Sequence, residues 1–124
     1  MVGVMVDGEW VKLIADWAAE QPEIVRAALY GSRITGYSHS SGRPCLPSSD
    51  LDLAIEVVAT LDPFGRERCN AYANWVFRHE KWREQLRERL PIQIDLRPIW
   101  HDDGVTGPAV EEHGIEIYRR AIVG

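Results

Sequence analysis

SSDLDLAIEVV, residues 48–58, carries two patterns at once. Leu51, Leu53 and Ile55 alternate with Asp50, Asp52, Ala54 and Glu56, which is the period of a strand that turns one face to a core. Yet its other face opens with two like charges. Side chains two apart on a strand point the same way, and each residue advances about 3.3 Å, so the two carboxylates leave the backbone about 6.6 Å apart. At that spacing they repel and raise each other's pKa unless a positive charge intervenes. A divalent cation is one resolution. Hard oxygen ligands in small number suit Mg²⁺, which keeps several waters and binds one or two carboxylates beside substrate phosphates. The other resolution is that both aspartates are solvated at a strand's edge, the commoner fate of a D-x-D pair on its own.

The neighbouring segments bear on that choice. In IQIDLRPIW (92–100), Ile92, Ile94 and Leu96 share one face while Gln93, Asp95 and Arg97 share the other. Asp95 is therefore placed to complete a triad with Asp50 and Asp52 across adjacent strands. Three carboxylates can hold two metal ions, an arrangement that serves in-line displacement at phosphorus. Upstream, IVRAALY (24–30) is short and apolar enough for a buried strand and runs straight into Gly31-Ser32-Arg33. Glycine lets a backbone approach a ligand closely, and amides with a serine hydroxyl can face phosphate oxygens. Taken alone, the same residues also read as an ordinary turn.

Around these strands the pattern is helical. Trp10, Leu13, Ile14 and Trp17 follow i, i+3, i+4, i+7 within a helix over Glu9–Glu20, with Asp7 as cap. Asp62-Pro63 has the chemistry of a helix start, and the period continues from Tyr72 to Leu90, with a break expected near Phe77–Lys81, until Pro91 stops it. A short helix over Pro108–His113 and a strand IEIYRR follow. Residues 38–49, SHSSGRPCLPSS, have loop composition. The order α-β-loop-β-α-β-α-β predicts an α+β domain, a small mixed sheet with helices packed on it, occupying residues 1–124 as one unit.

Composition narrows the function. With 14 basic and 19 acidic residues the net charge is −5, which argues against non-specific attraction to nucleic acid or to an anionic membrane. A nucleotide is still admissible, because a metal ion supplies positive charge. Cys45 and Cys69 are too few for a disulfide framework, and no leader or long apolar run is seen, so a soluble, cytoplasmic setting is expected.

LYGSRITG, then SDLDLAI, then IQIDL resembles the signature of the polymerase-β-type nucleotidyltransferase superfamily: Gly-Ser, a D-x-D pair and a third aspartate on a later strand. The brevity of the chain and its ending, VEEHGIEIYRRA, are similar to the minimal nucleotidyltransferase branch. The resemblance runs from about Ile24 to Arg120. It implies that Gly31 and Ser32 bind the β- and γ-phosphates of a nucleoside triphosphate, with Arg33 neutralising phosphate charge. It also implies that Asp50 and Asp52 ligate two Mg²⁺ ions, and that Asp95 ligates the catalytic ion and draws the proton from the attacking hydroxyl. The expected reaction is transfer of a nucleoside monophosphate, AMP from ATP, to a hydroxyl. The branch further implies an antitoxin whose acceptor is a helical HEPN-type toxin. Two alternatives stay open: a catalytically weak module that neutralises its partner by contact, and a standalone homodimer that modifies a small molecule such as an antibiotic. One departure from the family pattern is the long stretch between Ser32 and Asp50, whose Ser/Gly/Pro-rich part reads as a tolerated insertion or as a lid with Arg43 as its contact.

Other residues are better explained without chemistry. His101-Asp102-Asp103 reads as a solvated turn, and His39 with Cys45 lacks the second pair a zinc site needs. His79 and His113 read as structural or surface residues. RHEKWREQLRERL (78–90) reads as a solvated helix face. The five tryptophans read first as core and second as a partner surface.

Overall fold

The computed structural model describes residues 6–37, 42–46, 48–100 and 106–121. Its elements in chain order are α1 (Gly8–Ala19), β1 (Ile24–Tyr30), α2 (Ser32–Thr35), β2 (Leu51–Val57), β3 (Thr60–Leu61), β4 (Glu67–Cys69), α3 (Ala71–Arg89), β5 (Ile94–Pro98), α4 (Thr106–His113) and β6 (Ile115–Arg119). Four strands form a mixed sheet in the order β5-β2-β1-β6. Here β2 runs antiparallel to β1 and parallel to β5, while β6 closes the far edge antiparallel to β1. This is the α+β arrangement the sequence predicts. None of the described helices is long and apolar enough to cross a membrane.

Strand alternation sends the two sets of β2 side chains to opposite sides. Leu51, Leu53 and Ile55 are fully buried beneath α1 and α3 with Trp17, Trp82, Leu86 and Leu96. Trp17 and Trp82 meet edge-on with ring centroids 6.4 Å apart. Each indole also donates to a glutamine: Trp17 Nε1 to Gln85 Oε1 at 2.9 Å, and Trp82 Nε1 to Gln21 Oε1 at 3.2 Å. Trp10 and Trp75 pack against the same cluster, so four of the tryptophans serve the core. The opposite face is thin, with Ala28, Ala54 and Val110 of α4 as its buried centre.

Two expectations are corrected. Asp62-Pro63 does not start a helix: Asp62 Oδ1 accepts from the amides of Phe64 (2.9 Å) and Arg66 (2.8 Å), and Gly65 takes φ 79°. An aspartate that bonds its own downstream backbone closes a turn as readily as it caps a helix, and here it closes the β3–β4 hairpin. The helix starts instead at Ala71, capped by Asn70, whose Oδ1 accepts from Ala73 N–H at 2.7 Å. The break expected near Phe77–Lys81 is also absent, and α3 runs unbroken for 19 residues. Polar residues there face solvent on a continuous helix, while Trp75, Trp82 and Leu86 reach the core.

β5 is the edge strand opposite β6. Arg83 of α3 lies over it, its Nη2 donating to the Leu96 carbonyl at 3.1 Å and its guanidinium 5.4 Å from the Trp75 ring centroid. His101-Asp102-Asp103 and His39, discounted above, lie outside the described residues, as does part of the 38–49 stretch.

Candidate active site

The site lies on the thin face, where β1 ends and β2 and β5 begin. Parallel pairing sets Asp52 directly beside Asp95, and antiparallel pairing sets it beside Tyr30. Residues facing each other across a ladder project from the same side of the sheet, so these three side chains converge. The chain reaches the site through Gly31, whose φ of 82° lies in the left-handed region that favours glycine. The glycine is needed for space as well: a Cβ there would fall 1.9 Å from Asp52 Oδ2. The Gly-Ser turn and the D-x-D pair, far apart in sequence, are therefore packed against each other.

Electrostatics record the crowding. Burial, then the charge of Asp95, a hydrogen bond to it and the charge of Asp50 together push the Asp52 carboxyl up to about 6. Burial and the nearby Asp52 charge push Tyr30 up to about 12, although its hydrogen bond with Thr106 of α4 acts the other way. Arg97, two residues beyond Asp95 on the same face, offsets part of this charge. Its Nε donates to Asp95 Oδ1 at 3.3 Å, a bond that raises the arginine's own pKa.

Of the residues singled out in the sequence, Asp52, Asp95 and Gly31 are brought together most closely. Asp50 precedes β2, exposed, and reaches Asp52 through charge. Among the described residues no three His, Cys, Asp or Glu side chains stand close enough to enclose a metal ion by themselves. Two adjoining carboxylates with a third at their rim, one of them driven toward its neutral form, nevertheless fit a divalent cation that draws its remaining ligands from water and substrate phosphates. Ser32 opens the short helix α2, whose Ile34 and Thr35 amides both donate to the Gly31 carbonyl at 3.0 Å. Arg33 is buried: its Nε donates to Ser49 O at 2.8 Å and its guanidinium lies 5.6 Å from the Trp10 ring centroid. Those contacts tie the Gly-Ser turn to the segment that leads into β2.

Three participants are not assigned by the sequence reading. Tyr30 and Arg97 are legible there, since Tyr30 ends the strand that runs into Gly31 and period two puts Arg97 on the face of Asp95. His113 is not. Its Nε2 accepts from the Gly31 amide at 3.1 Å, across 82 positions of sequence, and only the packing of α4 against the end of β1 brings the ring there. A residue whose pattern reads as structural or surface thus bonds the Gly-Ser turn itself.

No family model matches the chain, and no curated protein does. Solved structures do. A chain from a toxin–antitoxin complex solved with AMP-PNP aligns with TM-score 0.56 at 21% identity, covering 88% of this chain and 73% of its own. A chain of the MntA–HepT toxin–antitoxin complex aligns with TM-score 0.56 at 18% identity over 91% and 73%. A third match comes from a tri-AMPylated Shewanella oneidensis HEPN toxin in complex with its MNT antitoxin, with TM-score 0.54, 19% identity and coverage of 90% and 71%. This chain shares the fold of those antitoxin structures.

Proposed function

We propose that this chain is a Mg²⁺-dependent nucleotidyltransferase of the cytoplasm that moves AMP from ATP to a hydroxyl on a helical HEPN-type toxin, and so acts as its antitoxin. The observation that carries the reading is the lateral pairing of Asp52 with Asp95 against Gly31. Likeness to a structure solved with AMP-PNP and to a complex with a tri-AMPylated toxin supports it.

In this reading Asp50, Asp52 and Asp95 hold two Mg²⁺ ions, which when bound neutralise the triphosphate and polarise the α-phosphoryl group. Ser32 and the Gly31 backbone receive the β- and γ-phosphates, while Arg33 anchors the turn that presents them. Because the Gly31 amide already donates to His113, a phosphate oxygen that takes this donor must displace the imidazole. Asp95, its Oδ1 held by the Arg97 guanidinium, takes the proton of the attacking hydroxyl.

Incubation with ATP, Mg²⁺ and the partner should add AMP masses to the partner in intact mass spectrometry, and Asp52→Asn or Asp95→Asn should abolish the addition. No adduct with active wild-type partner present would sink the enzymatic reading. A second reading is neutralisation by contact without transfer. It predicts tight partner binding that survives Asp52→Ala and shows no calorimetric ATP·Mg²⁺ binding.

A further inference from the structure

The carboxylates border a second space. A cavity of about 530 Å³ opens on the β5 side of the site, between the C-terminal half of α3 and the edge of the sheet. Asp50 and Asp95 line it together with Arg83 and Arg87, and Leu90 and Ile92 contribute apolar surface. Arg83 is committed to the Leu96 carbonyl, His79 and Trp75. Arg87, one helical turn later, is exposed and has no hydrogen bond or ion pair among the described residues.

Chemistry gives this cavity a direction. In-line displacement needs the attacking oxygen and the leaving pyrophosphate on opposite sides of the α-phosphorus. Gly31 and Ser32 follow β1, on one flank of β2, whereas the cavity adjoins β5 on the other. A triphosphate whose β- and γ-phosphates rest on the Gly-Ser turn therefore presents its α-phosphorus toward the cavity for attack. We propose that this cavity is the acceptor subsite, and that Arg87 binds an oxyanion carried next to the acceptor hydroxyl. The inference rests on the nucleotide-transfer reading above. In the step, the acceptor oxygen bonds to the α-phosphorus as the bond from that phosphorus to the departing pyrophosphate breaks. The hydroxyl proton passes to the Asp95 carboxylate, and pyrophosphate leaves on the Gly31–Ser32 side.

The apolar wall suits a flat ring, and a guanidinium grips carboxylate or phosphate in two-point fashion. Two sources share that chemistry: an acidic side chain beside a tyrosine, or the phosphate of an adenylate whose ribose offers the hydroxyl. Calorimetry on the full chain saturated with α,β-methylene-ATP and Mg²⁺ separates them. The probes are AMP, the peptide acetyl-Glu-Tyr-Glu-amide and its neutral counterpart acetyl-Ala-Tyr-Ala-amide. One anionic probe should bind wild type, at least tenfold more weakly to Arg87→Ala, weaker still to Arg87→Glu, with partial retention in Arg87→Lys. AMP binding identifies the adenylate phosphate as the source, and binding of the acidic peptide identifies a polypeptide segment. Affinity for the nucleotide analogue should be unchanged in all three variants, which also shows that they are folded. Should neither anionic probe bind, or should binding ignore Arg87, the subsite is refuted while nucleotide transfer stands. Failure of the analogue itself to bind wild type would remove both readings.

Discussion

The two faces of one sheet are built to different rules. Beneath α1 and α3, β2 contributes Leu51, Leu53 and Ile55, each fully buried and interlocked with a pair of edge-on tryptophans. On the opposite side, alternate positions of the same strand contribute Asp52 and Ala54, the latter clustered with Val110 of the eight-residue α4. The first face supplies stability by removing apolar surface from water. The second holds a carboxyl in an environment that disfavours its charge, at a cost the first must offset. A strand's alternation lets both rules operate one residue apart, so substitutions at neighbouring positions should have opposite consequences.

The largest effect separates the faces by activity. Asp52→Asn should cut AMP transfer on the order of a thousand-fold, several kcal/mol of transition-state stabilisation, with the fold intact by circular dichroism. Residual transfer within tenfold of wild type would place the chemistry elsewhere. Next comes the core side: Leu53→Ala removes a fully buried side chain and should cost about 3 kcal/mol in urea unfolding. Transfer per folded molecule should stay near wild type; a matching loss of activity would show that the faces are not independent. Gly31→Ala tests the junction. A positive φ and a Cβ 1.9 Å from Asp52 Oδ2 should together cost about 2 kcal/mol and displace the carboxyl, so stability and nucleotide affinity should fall together. An unchanged melting temperature would mean that the turn adapts freely.

The smallest effect is the most diagnostic. A carboxyl raised from 3.8 to about 6 on folding holds a proton in the native state that the unfolded chain has released. Native stability should therefore fall as pH rises from about 4 to about 6, with the full penalty present above that window. For a half-buried group screened by solvent the penalty is about 1 kcal/mol. Asp52→Asn should thus be more stable than wild type at pH 7, and the gap should close toward pH 4 in metal-free thermal melts. A gap independent of pH would show that Asp52 is not under charge stress.

Much of this division is legible in the sequence, because period two is a local property. The strands 24–30 and 51–57, the alternation of the second and the shared face of Asp95 and Arg97 follow from local pattern, whereas the register that sets Asp52 beside Asp95 is a property of the assembled sheet. Asp62 misleads because one short side chain suits a helix cap and a hairpin turn equally, and the competing partners, the amides of Phe64 and Arg66, are not distinguishable by composition. His113 is beyond reach for another reason. Its role depends on how far α4 leans over β1, which is set by packing around Ala28, Ala54 and Val110 rather than by neighbours in the chain. Arg33 shows the converse: its motif position suggests a phosphate, but a nearby indole and a carbonyl claim its guanidinium.

The arginine laid over β5 has one more consequence. In a parallel ladder alternate residues bond to the neighbour, and Gln93 O already receives the Leu51 amide, so the Leu96 carbonyl points outward from the margin of the sheet. An open margin is a template on which a stray chain can polymerise. With Arg83 occupying that carbonyl, an incoming strand finds a hydrogen-bond position already filled and a bulky cation in its path, and the molecule is guarded against fibre-like stacking along that border.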